Sequence, residues 1–185
     1  MNAVFVLPLG TLDADIAATI EQGIRRVFGL DVCLMNAGQT PDHAFDARRR
    51  QYSSELILRD IIQQCPEGAL RLLAVTTVDL FIPMLTFVYG QAQLNGRVSL
   101  VSTARMHQEF YDLKQDRPLT LSRILKESIH ELSHTFGLIH CPLQSCMMSI
   151  ATGTSQLDAK SEVLCSGCSL LVRDALSRIK NDRHI

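Results

Sequence analysis

The chain is 185 residues long and 46% hydrophobic, enough for one packed domain. Its 18 basic and 19 acidic residues nearly cancel, which argues against a nucleic-acid or anionic-membrane partner, since either would leave a basic excess. No apolar run is long enough to cross a bilayer, and the opening MNAVFVLPLG lacks the basic start and cleavage site of a secretory leader. A soluble, cytoplasmic protein with no membrane partner is expected.

The first half reads as strands alternating with helices. Ala3 to Leu9 is an apolar run of strand length. A helical stripe of Ile16, Ile20, Ile24, Val27 and Phe28 follows, opened near Thr11 and Asp13 and closed by Gly29. Asp31 to Met35 reads as a second strand. A helix is expected from about Asp46 to Gln64, stopped by Pro66, with Arg48-Arg49-Arg50 on its solvated face. Leu72 to Val78 is a third strand. Beyond Pro83, the segments Thr86 to Gln91 and Arg97 to Thr103 read as two strands joined by the hairpin dipeptide Asn95-Gly96. Such alternation predicts an α/β fold with a mixed, mostly parallel sheet and an antiparallel edge strand.

The next helix is expected from near Thr120 to Gly137. Leu121, Ile124, Leu125, Ile129, Leu132 and Phe136 form its apolar face, and His130 and His134 fall on roughly the opposite side. Residues 140 to 163 read as a loop. A last amphipathic helix begins just after Cys168 and uses Val172, Ala175, Leu176 and Ile179.

The chemistry concentrates in HELSHTFGLIHC, His130 to Cys141. His130 and His134 are one helical turn apart, so both imidazoles can reach one ion. Glu131 stands beside the first, where a carboxylate can take a proton from an attacking water. Gly137 permits a left-handed turn that would bring in His140 as third ligand. Three protein ligands leave the fourth position of a tetrahedral zinc open, as a catalytic site requires. Cys141 and Cys146 form one close pair, and Cys165 and Cys168 another, a set suited to a closed, structural four-thiolate zinc. Cys33 and Cys65 stand apart and are expected to be buried thiols, while His43, His107 and His184 fit no motif. On this reading His140 serves one ion and Cys141 the other, and the second zinc anchors a loop that would otherwise lack apolar residues to fix it.

The constellation of His130, Glu131, His134, Gly137, His140, Cys141, Cys146 and Met148, followed by Cys165 and Cys168, resembles the archaemetzincin family of zinc metallopeptidases. The matching motifs occupy about the last third of the chain. The stretch between Met148 and Cys165 spans 16 residues, one fewer than is usual in the family. The resemblance implies a metzincin-like fold, two zinc ions, a peptide or protein substrate, and Met148, not Met147, as the Met-turn residue. It implies a single metallopeptidase domain over residues 1–185. Residues 1–137 would be the α/β part ending in the active-site helix, and 138–185 the part with the structural zinc and last helix. A monomer is expected. Some metzincins place a tyrosine shortly after the Met-turn methionine. Ser149 and Ile150 follow here, so that helper is absent: either activity is lower, or another group such as Tyr89 or Tyr111 serves, and the sequence does not choose. The competing reading is a zinc-stabilised binding or interaction module that keeps the fold and hydrolyses nothing.

Overall fold

The computed structural model describes residues 3–182. Strand β1 (Ala3–Leu9) leads through α1 (Ala14–Phe28) to β2 (Asp31–Leu34), as the apolar pattern requires. Gly29 closes α1 at φ 63°, its amide donating to the Arg25 carbonyl at 2.9 Å.

The expected helix from Asp46 to Gln64 is corrected at its start. Residues Phe45–Asp46 (β3) and Gln51–Ser53 (β4) pair as a small antiparallel hairpin instead. Arg50 sits at φ 56°, a left-handed conformation no helix can run through, and the Asp46 carboxylate ties the turn by accepting from the Arg48 and Arg49 amides. The three arginines are therefore not a helical face. Arg49 lies over the Phe81 ring at 4.3 Å. Helix α2 (Ser54–Gln64) begins where the Ser53 hydroxyl accepts from the Leu56 amide.

Strands β5 (Arg71–Thr76), β6 (Leu80–Phe81), β7 (Gly90–Ala92) and β8 (Val98–Ser102) follow. The strand expected over Thr86 to Gln91 is shorter and later, because Val88 bridges back to Leu80 and only Gly90–Ala92 pairs with β8. Asn95 takes φ 53°, but Gly96 does not share its positive φ, and β7 and β8 are joined by a longer loop than the two-residue turn expected of Asn95-Gly96. Helix α3 (Arg117–Thr135) starts three residues before its expected position. Pro118 fits its first turn, where no amide is needed, and the Asp116 carboxylate caps the Leu119 amide at 3.0 Å. The stretch expected to be loop contains α4 (Thr154–Ala159), and α5 (Ser166–Asp182) opens two residues before Cys168.

Among the described residues the main sheet has five strands in the order β2-β1-β5-β8-β7, all parallel except β7. Along β5 the side chains alternate: Leu72 and Ala74 enter one core with α2, while Leu73 and Val75 enter the other with α1 and α3. Helices thus cover both faces, which is why the central strands read as continuous apolar runs. Helix α3 is buried around most of its circumference, its polar residues included. Gly23 lets α1 approach it, since a Cβ there would stand 2.2 Å from Leu125 Cδ1. The α1–α3 core also takes in Leu138, Met147, Met148, Leu157 and Val172, so the C-terminal third packs on the same core as the sheet.

Cys33 and Cys65 are half-buried, not buried as expected. His43 is exposed beside Asp60, His107 is half-buried, and His184 lies outside the described residues. No helix among the described residues is long and apolar enough to cross a membrane.

Candidate active site

The C-terminal half of α3 runs beneath the edge strand β7. There His130 is buried, His134 half-buried, and His140 comes back from the turn after the helix. That turn forms at Gly137, φ 89°, whose amide donates to the His134 carbonyl at 2.9 Å. The Asn95 amide donates to the same carbonyl at 2.9 Å, so the hairpin tip is docked on the helix end.

The three histidines converge, with one ring nitrogen of each within 4.8 Å of the others. Their ring centroids are 4.7, 5.2 and 4.9 Å apart. His130 Nδ1 lies 3.0 Å from the Met147 carbonyl and His134 Nδ1 2.6 Å from the Leu138 carbonyl. A carbonyl only accepts, so each Nδ1 carries the proton and each Nε2 is a bare lone pair. The two Nε2 atoms are 3.1 Å apart. Nitrogen ligands on a tetrahedral zinc stand about 3.3 Å apart, so the pair suits one ion. Burial, first of all, pulls all three imidazoles below their ordinary pKa, which keeps them in the neutral form a metal needs.

Glu131 is buried, with a carboxyl oxygen within 4.8 Å of one of Glu127, one turn earlier. Burial and the neighbouring carboxylate push Glu131 well above the usual carboxylate range, and Lys160 opposes this. Gly90 of β7 is what admits Glu131 so close to the strand. A Cβ on Gly90 would lie 2.6 Å from Glu131 Cγ and 2.6 Å from the Leu100 carbonyl oxygen.

The four cysteines Cys141, Cys146, Cys165 and Cys168 gather behind His140, with all four sulfurs within 4.8 Å. Sulfur separations are 3.9 Å for Cys141–Cys165 and 3.8 Å for Cys146–Cys168. Four thiolates around one zinc stand about 3.8 Å apart, while a disulfide needs about 2.05 Å, so the set fits an ion. Main-chain amides point at the sulfurs: Cys165 N at Cys146 Sγ, and Cys168 N at Cys165 Sγ. The latter brings the Cys165 thiol down to about 7. Met147 and Met148 are both fully buried, and the Met148 carbonyl accepts from the Cys141 amide at 2.8 Å.

The spacing in the sequence anticipates that these candidate ligands meet, but it passes over Glu127, Lys160, Gly90 and the Met147 carbonyl. A glutamate four residues before Glu131 was a usable signal, since that spacing shares a helix face. A lone lysine and a glycine within a strand carried none.

Helices on both faces of a mixed sheet, with three convergent imidazoles beside a buried glutamate, define a zinc metallopeptidase of the metzincin kind. The model of peptidase family M54 matches residues 38–174. The archaemetzincin of Methanocaldococcus jannaschii is 34% identical over 169 residues, covering 91% of this chain and 92% of its own. That of Pyrococcus furiosus is 34% identical over 185 residues, covering 96% and 95%. The crystal structure of archaemetzincin from Methanopyrus kandleri aligns with a TM-score of 0.84 at 33% identity, over 95% of this chain and 96% of that one. The chain belongs to peptidase family M54, the archaemetzincins.

Proposed function

We propose that the protein hydrolyses peptide bonds with Glu131 as general base, on a zinc held by His130, His134 and His140. A second, structural zinc is held by Cys141, Cys146, Cys165 and Cys168. The observation that carries this reading is the placement of Glu131, whose carboxyl borders the cleft beside all three imidazoles. A site built only to hold metal has no use for a buried carboxylate there.

Zinc at the histidines supplies a Lewis acid that lowers the pKa of a bound water to about 7 and polarises the substrate carbonyl. Glu131 takes the proton as the water attacks and passes it to the departing amine. The Tyr89 hydroxyl borders the same cleft, and burial pushes its pKa up, so it stays a neutral donor for charge developing on the carbonyl oxygen. Tyr111 instead donates to the Arg105 carbonyl, which favours Tyr89 in this role. Met148, wholly buried and tied to Cys141, serves as the Met-turn residue. The core shared by residues on both sides of Gly137 supports a single domain. The six unpaired cysteines suit a reducing compartment such as the cytoplasm.

Glu131→Gln tests the proposal. The amide keeps size and hydrogen bonding but cannot take the proton. Zinc content and Tm should hold while turnover falls at least ~10²–10⁴-fold. Near-normal kcat would assign the base elsewhere. Metal analysis should give two zinc ions per chain, one lost quickly to a mild chelator and one only with loss of structure.

A further inference from the structure

We propose that Phe87 limits the size of the substrate side chain beside the cleaved bond, and that Arg105 is the positioning residue that holds Phe87 in place. The proposal rests on the peptidase reading above and adds a substrate class, peptides with a leucine-sized and not a tryptophan-sized residue at that position. The cleft beside Glu131 is a cavity of about 210 Å³ bordered by Phe87, Val88, Ile150 and Ala151. That is below the ~300–1,000 Å³ usual for ligand sites and leaves room for one side chain.

Phe87 has little local structure to hold it. The segment from Ile82 to Val88 joins β6 to β7, bridges to Leu80 at Val88, and leaves Met84 88% and Leu85 49% exposed. A segment that buries so little apolar surface is fixed only if other elements grip it. Two residues from the hairpin of β3 and β4 grip its main chain. Arg49 donates to the Leu85 carbonyl at 2.5 Å, and Gln51 donates to the Thr86 carbonyl at 3.0 Å.

Arg105 grips the ring of the next residue. Its guanidinium lies 4.1 Å from the Phe87 centroid and 4.7 Å from that of Phe110. The plane of that guanidinium is fixed in turn, because Nε and Nη2 donate to the two Asp79 oxygens at 2.7 and 2.8 Å. A lysine ammonium could match neither the fork nor the flat stacking surface. Asp79 also accepts from Gln51 at 2.8 Å. One carboxylate thus links the side chain that holds the Thr86 carbonyl to the one that holds the Phe87 ring. The Tyr111 hydroxyl steadies the base of Arg105 by donating to its carbonyl at 3.2 Å. Arg105 does not itself border the cavity, so its influence there passes through Phe87, which meets Tyr89 edge-on at 5.1 Å.

The test is a peptide series with leucine or tryptophan on either side of the cleaved bond. It is read as kcat/KM with the zinc-loaded native protein and as affinity for zinc-loaded Glu131→Gln, which reports the cavity without turnover. At one of the two positions leucine should be preferred about 10- to 100-fold, the range over which a single apolar pocket discriminates size. Phe87→Ala, checked for zinc content and Tm, should bring that ratio near one. Arg105→Met, which keeps length but loses the fork, should reduce the ratio at least about fivefold. A merely structural role for Arg105 would weaken both peptides alike and leave the ratio unchanged. In the Phe87→Ala protein, adding Arg105→Met should not alter the ratio further; independent effects would show that Arg105 does not act through Phe87. An unchanged ratio in Phe87→Ala overturns the proposal even if the Arg105 variant fails to fold. Cleavage with leucine and tryptophan used equally at both positions would sink the size limit and leave the peptidase standing. Size-selective binding that depends on Phe87, without any cleavage by the native protein, would keep the size limit and sink the peptidase.

Discussion

At the scale of single residues, the site depends on atoms that are missing as much as on those present. Gly90 lies between Glu131 and the Leu100 carbonyl, with 2.6 Å available to a Cβ on either side. Neither neighbour can yield cheaply, since one is the proposed base and the other is main chain in the sheet. Gly90→Ala should therefore cost about 1–3 kcal/mol of stability, as overpacking does, and lower kcat by displacing Glu131. Zinc at the histidines should be retained, because His130 and His134 are oriented by the Met147 and Leu138 carbonyls, neither of which belongs to β7. Denaturant melts, metal analysis and kinetics on one preparation check this; a fully active, fully stable variant would mean that β7 does not set the position of Glu131. The convergence of the three proposed histidine ligands was legible in the sequence because their spacing is set by the helix and by one glycine turn. Gly90 and Lys160 were not, because they reach the site through tertiary contacts that no local spacing encodes; Glu127, one helical turn before Glu131, could have been read from its spacing.

At the scale of elements, periodicity located the helices and strands that pack on the two cores, and it failed where short-range polar contacts decide the backbone. The overlong second helix is one such case: Asp46 and Arg50 make a turn where apolar spacing suggested continuation. The segment after Met148 is another. Helix α4 is held to α3 by polar side chains, with Arg123 making two 2.6 Å bonds to the Asp158 carboxylate and Lys126 donating to the Leu157 and Asp158 carbonyls. Arg123 is only 3% exposed, so removing its partner strands a buried charge. Asp158 is itself 32% exposed, which moderates the loss. Asp158→Asn should lower stability by about 2–3 kcal/mol, read as a lower urea midpoint at unchanged slope. It should also reduce kcat, because α4 delivers Lys160 to the Glu127–Glu131 pair. A neutral outcome on both would show that Leu157, wholly buried, seats α4 unaided.

At the scale of the whole molecule, the question is how the C-terminal third is tethered, and how far damage at one tether spreads. The thiolate cluster is one tether, joining the segment after His140 to the start of α5. The Arg123–Asp158 clamp and the buried Leu157, Met147 and Met148 are a second, and its ion pair joins residues too far apart in the chain for any spacing to reveal. Cys165→Ser removes one proposed ligand and the sulfur that accepts from the Cys168 amide. A structural zinc can contribute on the order of 10 kcal/mol in small domains, but the other face of the sheet packs with α2 in a core that no residue after Gly137 enters. Unfolding should therefore be local, and the two tethers divide it. Hydrogen-exchange protection should be lost over residues 138–146 and at the start of α5, while α4 and the sheet keep theirs. Zinc affinity at the histidines should fall, because His140 is bonded to Cys141 and the Met148 carbonyl holds the Cys141 amide. If protection across residues 138–170 and histidine-site zinc both survive, the two metal sites are independent. If α4 melts along with the cysteines, the thiolate cluster is the only effective tether and the clamp is secondary to it.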